Sequence, residues 1–192
     1  MDINELIELE RKTNVERNSY IVSYPHIAAY FSKIERIEVQ DFILGSHMVY
    51  SWMPTVLTLH LPQSNPNKCL ANIVSILNIA KHNGRLSVSD IKSLAKVINN
   101  SVVGTSKLLH FIDPKEFAIW DSKIYSVLYQ KKPYSYRVNN PEFYLNYLNK
   151  MKSIIEETGF KALHNNVNAK VGYEVSAMRA IELIIFLNSK EG

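Results

Sequence analysis

The chain has 192 residues, 46% of them apolar, and 22 Lys/Arg against 18 Asp/Glu give a formal charge of +4. That is enough apolar material for one domain with a buried core, or for two small lobes sharing one, and too much for a disordered chain. The single Cys69 excludes an intramolecular disulfide, no Cys/His cluster has zinc spacing, no apolar run approaches ~18 residues, and the acidic, amphipathic first residues are no signal peptide. The expectation is a cytoplasmic protein without metal, cofactor or membrane contact, of a size able to work as a monomer.

Apolar residues recur at helical spacing along most of the chain. Ile3, Leu6, Ile7 and Leu9 predict a first helix over 2–12, and Ile27, Tyr30, Phe31 and Ile34 a second over 20–34, begun or interrupted near Pro25. A third spans 39–52 and ends at Met53-Pro54-Thr55; Val56 to Leu61 continues as an apolar turn or short helix, or as a marginal strand. Trp52 offers a flat ring to a base or packs the core. After the polar loop 62–67, Leu70, Ile73, Val74, Leu77 and Ala80 predict a helix stopped by Asn83-Gly84, and Ser87 or Ser89 opens another over 91–98.

Asn99-Asn100-Ser101 reads as a hairpin feeding the most informative stretch, Ser101 to Lys123. The reading there is a tight turn through Gly104, a helix capped by Thr105 or Ser106, a break at Pro114, and a further helix opened by Asp121 or Ser122. Free amides at two helix starts suit a phosphate. Lys107 lies one turn into the first of these helices and Asp121 at the mouth of the second, which makes them a candidate catalytic pair. The plainer arrangement is a solvated lysine and a simple cap. Farther on, Lys131-Lys132-Pro133 forms a basic turn before Tyr134 and Tyr136, and a helix covers 141–157. Residues 161–172, rich in asparagine, read as little structured. A strongly apolar last helix covers 173–187, with Arg179 and Glu182 three apart as a weak pair. Every confident element is helical, so the fold expected is all-α, a single compact multi-helix domain over 1–192.

Charge is uneven. Residues 81–152 hold twelve Lys/Arg and five Asp/Glu, an excess of +7, and the remainder carries −3. Such asymmetry favours a polyanionic partner.

Val103-Gly104-Thr105-Ser106-Lys107 followed by Phe117-Ala118-Ile119-Trp120-Asp121-Ser122 resembles the active-site region of the helix-hairpin-helix DNA glycosylase superfamily, in its 8-oxoguanine-glycosylase-like branch. That family sets a G-V-G-T-K-like hairpin before a helix and an essential aspartate at the start of the next. The departures are plain: the first hairpin glycine falls on Val102, a gapless match puts Ser106 rather than Lys107 in the lysine slot, and the lysine-to-aspartate spacing is a few residues short.

The resemblance implies an N-glycosylase that flips a damaged or modified base from duplex DNA, including bases of modified viral genomes met in host defence, and cleaves its glycosidic bond. Asp121 would stabilise the positive sugar, and the nucleophile would be water or, with abasic-site lyase activity, neutral Lys107. DNA contacts would come from Gly104, Thr105, Ser106, Ser122, Lys123, Lys131, Lys132, Tyr134, Tyr136 and Arg137. The base pocket would draw on Trp52, His110, Phe111, Trp120 and Tyr125, with His110 equally readable as a hydrogen-bonded core histidine. Two other classes fit the same features: a nucleic-acid-binding module without catalysis, and a helical interaction or defence protein.

Overall fold

The computed structural model describes residues 1–53 and 55–189, and among them the chain forms eleven helices and no strand. They are α1 (Ile3–Lys12), α2 (Ser19–Ser32), α3 (Val39–Trp52), α4 (Pro66–Asn83), α5 (Val88–Val97), α6 (Val102–Ile112), α7 (Ser122–Tyr129), α8 (Ser135–Val138), α9 (Pro141–Ile155), α10 (Phe160–Val171) and α11 (Ala177–Leu187). The all-α expectation holds. Pro54, expected to help end α3, lies outside the described residues; Trp52 is the last helical residue. One contiguous cluster of buried side chains runs from Ile3 in α1 to Ile185 in α11. No helix among the described residues is long and apolar enough to cross a membrane.

Caps explain most boundaries. Asp2 and Glu5 close a reciprocal capping box on α1, Asn65 caps α4 with Pro66 behind it, and Gly84 ends α4 at φ 61°, a conformation open to glycine. Ser87 and Asp90 repeat the box on α5. The hairpin between α5 and α6 is built by Asn99 and Asn100, both at positive φ (53° and 49°), where asparagine is tolerated better than most side chains.

Four elements differ from expectation. Ser101, not Thr105 or Ser106, caps α6 by accepting from the Gly104 amide at 3.1 Å, so Gly104 sits in the first helical turn rather than in a tight turn. Its lack of a side chain serves packing, because a Cβ there would collide with the Tyr50 hydroxyl. Residues 56–60 are neither turn nor helix but an extended strap on the hairpin: Leu59 bridges to Ile98, His60 N–H donates to Val97 O (2.8 Å), Asn99 N–H to Thr58 O (3.0 Å), and Thr58 N–H to Asn99 Oδ1 (2.7 Å). Residues 160–171 form a full helix, α10, because Phe160, Leu163, Val167 and Val171 fall on one buried face while Asn165 and Asn166 point outward. Tyr136 and Arg137 lie in the short helix α8 instead of a loop, with Tyr134 just before it at the N-cap.

Candidate functional site

The site grows from the run Phe117-Ala118-Ile119-Trp120, which connects α6 to α7 and is almost wholly buried. Buried backbone must find partners, and here side chains from two helices supply them. His110 Nδ1 bonds Phe117 O (2.7 Å), Tyr144 Oη donates to Ala118 O (3.3 Å), and Tyr147 Oη donates to Ile119 O (3.0 Å). Trp120 N–H donates to Ser106 Oγ (3.0 Å), whose own proton points between Val103 O and Trp120 O (2.7 and 3.1 Å). Since a carbonyl only accepts, His110 carries its proton on Nδ1, and Nε2 accepts from the Tyr24 hydroxyl at 2.8 Å. Full burial drives this ring's pKa from 6.5 down to about 3, and Arg179 nearby pushes the same way.

The run delivers Asp121 to the start of α7, where Oδ1 caps the helix by accepting from Ile124 N–H at 2.9 Å. Because Ser106 is tied to Trp120 by backbone on both sides, their chain neighbours Lys107 and Asp121 are brought into one neighbourhood, both half-buried. Lys107 makes no ion pair within 4.0 Å among the described residues. Burial lowers its pKa, the charges of Asp121 and Glu182 offset part of that, and Arg179 adds to it.

Beneath this pair lies a feature missed in the sequence. Arg179 and Glu182, on α11, are 1% and 0% exposed and form a close ion pair. The guanidinium lies over the rings of Tyr24 (4.8 Å), Tyr20 (5.4 Å) and Trp52 (5.9 Å). Arg179 Nη2 and Glu182 Oε1 have no partner among the described residues. The partners respond differently. Burial weakens the charge of Arg179, but Glu182 and the tyrosines outweigh it and hold the guanidinium protonated; for Glu182 burial prevails over Arg179, and Asp121 adds to it, so its carboxyl sits above the usual range. The second direction matters for chemistry, since arginine does not titrate. The expected weak pair is therefore a close and buried one. Its only sequence signal is two charges inside the apolar last helix.

No family model, curated protein or solved structure matches the chain. The likeness to helix-hairpin-helix glycosylases thus stands on residues 101–123 alone.

The expected DNA-contact residues separate into two groups. Gly104, Thr105 and Ser106 are buried, and the amides at the start of α6 are already bonded: Ser101 N–H to Ala95 O (3.1 Å) and Ile98 O (2.9 Å), Val102 N–H to Asn139 Oδ1 (3.1 Å), Gly104 N–H to Ser101 Oγ. With the strap across the hairpin, most donors at this end are spent within the chain. The other group is at the surface. Ser122, Lys131 and Lys132 are exposed, Lys123 is half-buried with its ammonium 4.9 Å over Phe186, and Tyr134 and Tyr136 are 45% and 68% exposed. The two tyrosine rings stack (5.8 Å, 16°), with Lys132 over Tyr134 at 5.3 Å and Arg137 within 5.6 Å of both rings. A groove of about 960 Å³ passes Ser122, Lys123, Gln130 and Pro133 to Asn188 and Ser189.

The expected base-pocket residues fall into two aromatic groups rather than one open pocket: Trp52 packs edge-to-face on Phe111 at 5.2 Å, and Trp120 packs on Tyr125 at 5.9 Å. His110 and Phe111 are fully buried against Tyr24, while Trp120 and Tyr125 are buried in a separate aromatic cluster with Tyr129, Phe143 and Tyr147; none of the four faces an opening. Trp120 Nε1–H is spent on Val138 O at 2.8 Å. Trp52 is half-buried, stacked on Tyr20 (4.0 Å, 18°), and donates Nε1–H to Tyr20 O at 3.1 Å. Tyr20 and Tyr24 are the rings that accompany Trp52 beside Arg179, and half-buried Phe186 stacks on Tyr20 at 6.0 Å.

Proposed function

We propose that this chain is a DNA N-glycosylase, which releases a damaged or modified base by breaking its bond to the sugar. The observation that supports the reading is the two-way tie between Ser106 and Trp120, whose chain neighbours are Asp121 and a lysine of lowered pKa that feels its charge, near a half-open helix mouth. Asp121 stabilises the positive charge that develops on the sugar as the bond breaks, and orients the nucleophile. A water attacks C1′, or Lys107 does so with its lone pair while the base departs with the bonding electrons. Burial favours the second route, since only the neutral amine is nucleophilic. DNA is met by the α7–α8 face, where no acidic residue occurs between Ser122 and Glu142 while Lys123, Lys131, Lys132 and Arg137 do.

Duplexes carrying oxidised, alkylated or otherwise modified bases are the substrates to screen, reading abasic sites and nicks. Release should vanish in Asp121→Asn with the fold kept. Borohydride trapping of a covalent adduct, lost in Lys107→Gln, separates lyase from water chemistry. Full activity in Asp121→Asn sinks the mechanism.

A second reading has its own support. The exposed tyrosine pair also suits a module that binds nucleic acid without cutting it. That reading expects salt-dependent binding and no base release from any substrate.

A further inference from the structure

The geometry points to the Tyr134–Tyr136 surface as a platform for unpaired bases, so that this chain takes its DNA as a single strand or at a locally unpaired segment. The inference rests on the reading of the partner as DNA and narrows it to a substrate class. In a duplex the faces of the bases are hidden in the stack, and a protein gripping it needs cations and amides at the backbone. This chain spends most of its hairpin amides internally: Ser101, Val102 and Gly104 N–H have partners within the protein, and residues 56–60 strap the hairpin. It offers instead two parallel rings that are 45% and 68% exposed. Burial elsewhere in the chain shows that tyrosines can be absorbed, as Tyr24, Tyr50, Tyr125, Tyr144 and Tyr147 are. A base with a free face gains by stacking on such exposed rings, taking the place of the water or cation now over them.

The surroundings fit that ligand. Lys132 and Arg137 flank the rings at 5.3 to 5.6 Å, and Arg137 Nε donates to Tyr136 Oη at 3.1 Å, so each ring has a cation beside it for the phosphates between stacked bases. The platform is also fixed relative to the candidate site. Val138 O, at the end of α8, accepts from Trp120 Nε1–H one residue before Asp121, and the neighbouring Asn139 receives Val102 N–H from the start of α6. A strand lying on the rings is thereby held by the same connector that presents Asp121.

Fluorescence anisotropy with a short labelled DNA strand, its duplex, the duplex with an internal unpaired bubble, and the matching RNA strand tests this. The single strand and the bubble are expected to bind at least about tenfold more tightly than the duplex at equal salt. Tyr134→Ala with Tyr136→Ala should weaken them about 5- to 150-fold, the range for losing stacking on one base, and leave the duplex unchanged. Lys131→Gln with Lys132→Gln should weaken all forms and flatten the salt dependence. Duplex binding as tight as single-strand binding, or indifference to loss of the tyrosines, overturns the platform. Tighter binding of the RNA overturns the DNA assignment. None of these readouts needs catalysis, so selective single-strand binding without base release would refute the glycosylase and leave the platform standing.

Discussion

The two helix starts at α6 and α7 make an instructive pair. Both are capped by a side chain that accepts from the residue three positions on; the first follows a hairpin and the second a buried connector. The first is largely closed: the amides of Ser101, Val102 and Gly104, its glycine and its two hydroxyls are spent on the protein itself. The second is half-open, with Asp121 partly exposed and Ser122 in water. A helix start becomes a site only when the neighbouring chain leaves it room, and at α6 the strap takes that room away.

The contrast can be broken in order of expected effect. Asp121→Asn keeps the cap, because asparagine caps about as well, yet should cut base release by about 10³-fold or more in single-turnover assays. Arg179→Met should cost about 3–5 kcal/mol in urea unfolding by leaving Glu182 buried and unpaired, and adding Glu182→Leu should recover most of it. Burial of neutral His110 should make stability fall with acid. Its pKa is depressed in the fold, so its contribution is complete above 6.5 and is lost as pH drops toward about 3; unfolding midpoints across that window should flatten in His110→Gln. At the closed start, Gly104→Ala should cost about 1–3 kcal/mol in thermal unfolding through its collision with Tyr50, and leave DNA affinity per folded molecule unchanged. An equal loss of affinity there would restore the hairpin as a contact.

Local chemistry made much of the fold legible. The bounds of α3 follow from its apolar pattern, the Gly84 stop from its position, and the Asp121 cap from residue type alone. What escaped depends on partners far away in the chain. The asparagines of α10 look like a loop until Phe160, Leu163, Val167 and Val171 are given a surface to cover. The strap exists only because Thr58 and Leu59 meet residues about forty positions later. Arg179 and Glu182, at helical spacing, read the same in water or in a core, and only the packing of α11 decides between them. The candidate base-pocket rings failed for the opposite reason: aromatic residues near a site are also the best core residues, and His110, Phe111, Trp120 and Tyr125 went to the core.

The connector at 117–120 has a practical consequence for mutagenesis. Its carbonyls hang on hydroxyls and a ring from Ser106, His110, Tyr144 and Tyr147, none of which reaches solvent. Conservative losses such as Tyr147→Phe would loosen the tether of Asp121 without emptying any volume. An activity-scored library would then return these four positions as dead variants alongside Asp121 itself, and only a thermal-shift counter-screen would tell scaffold from chemistry.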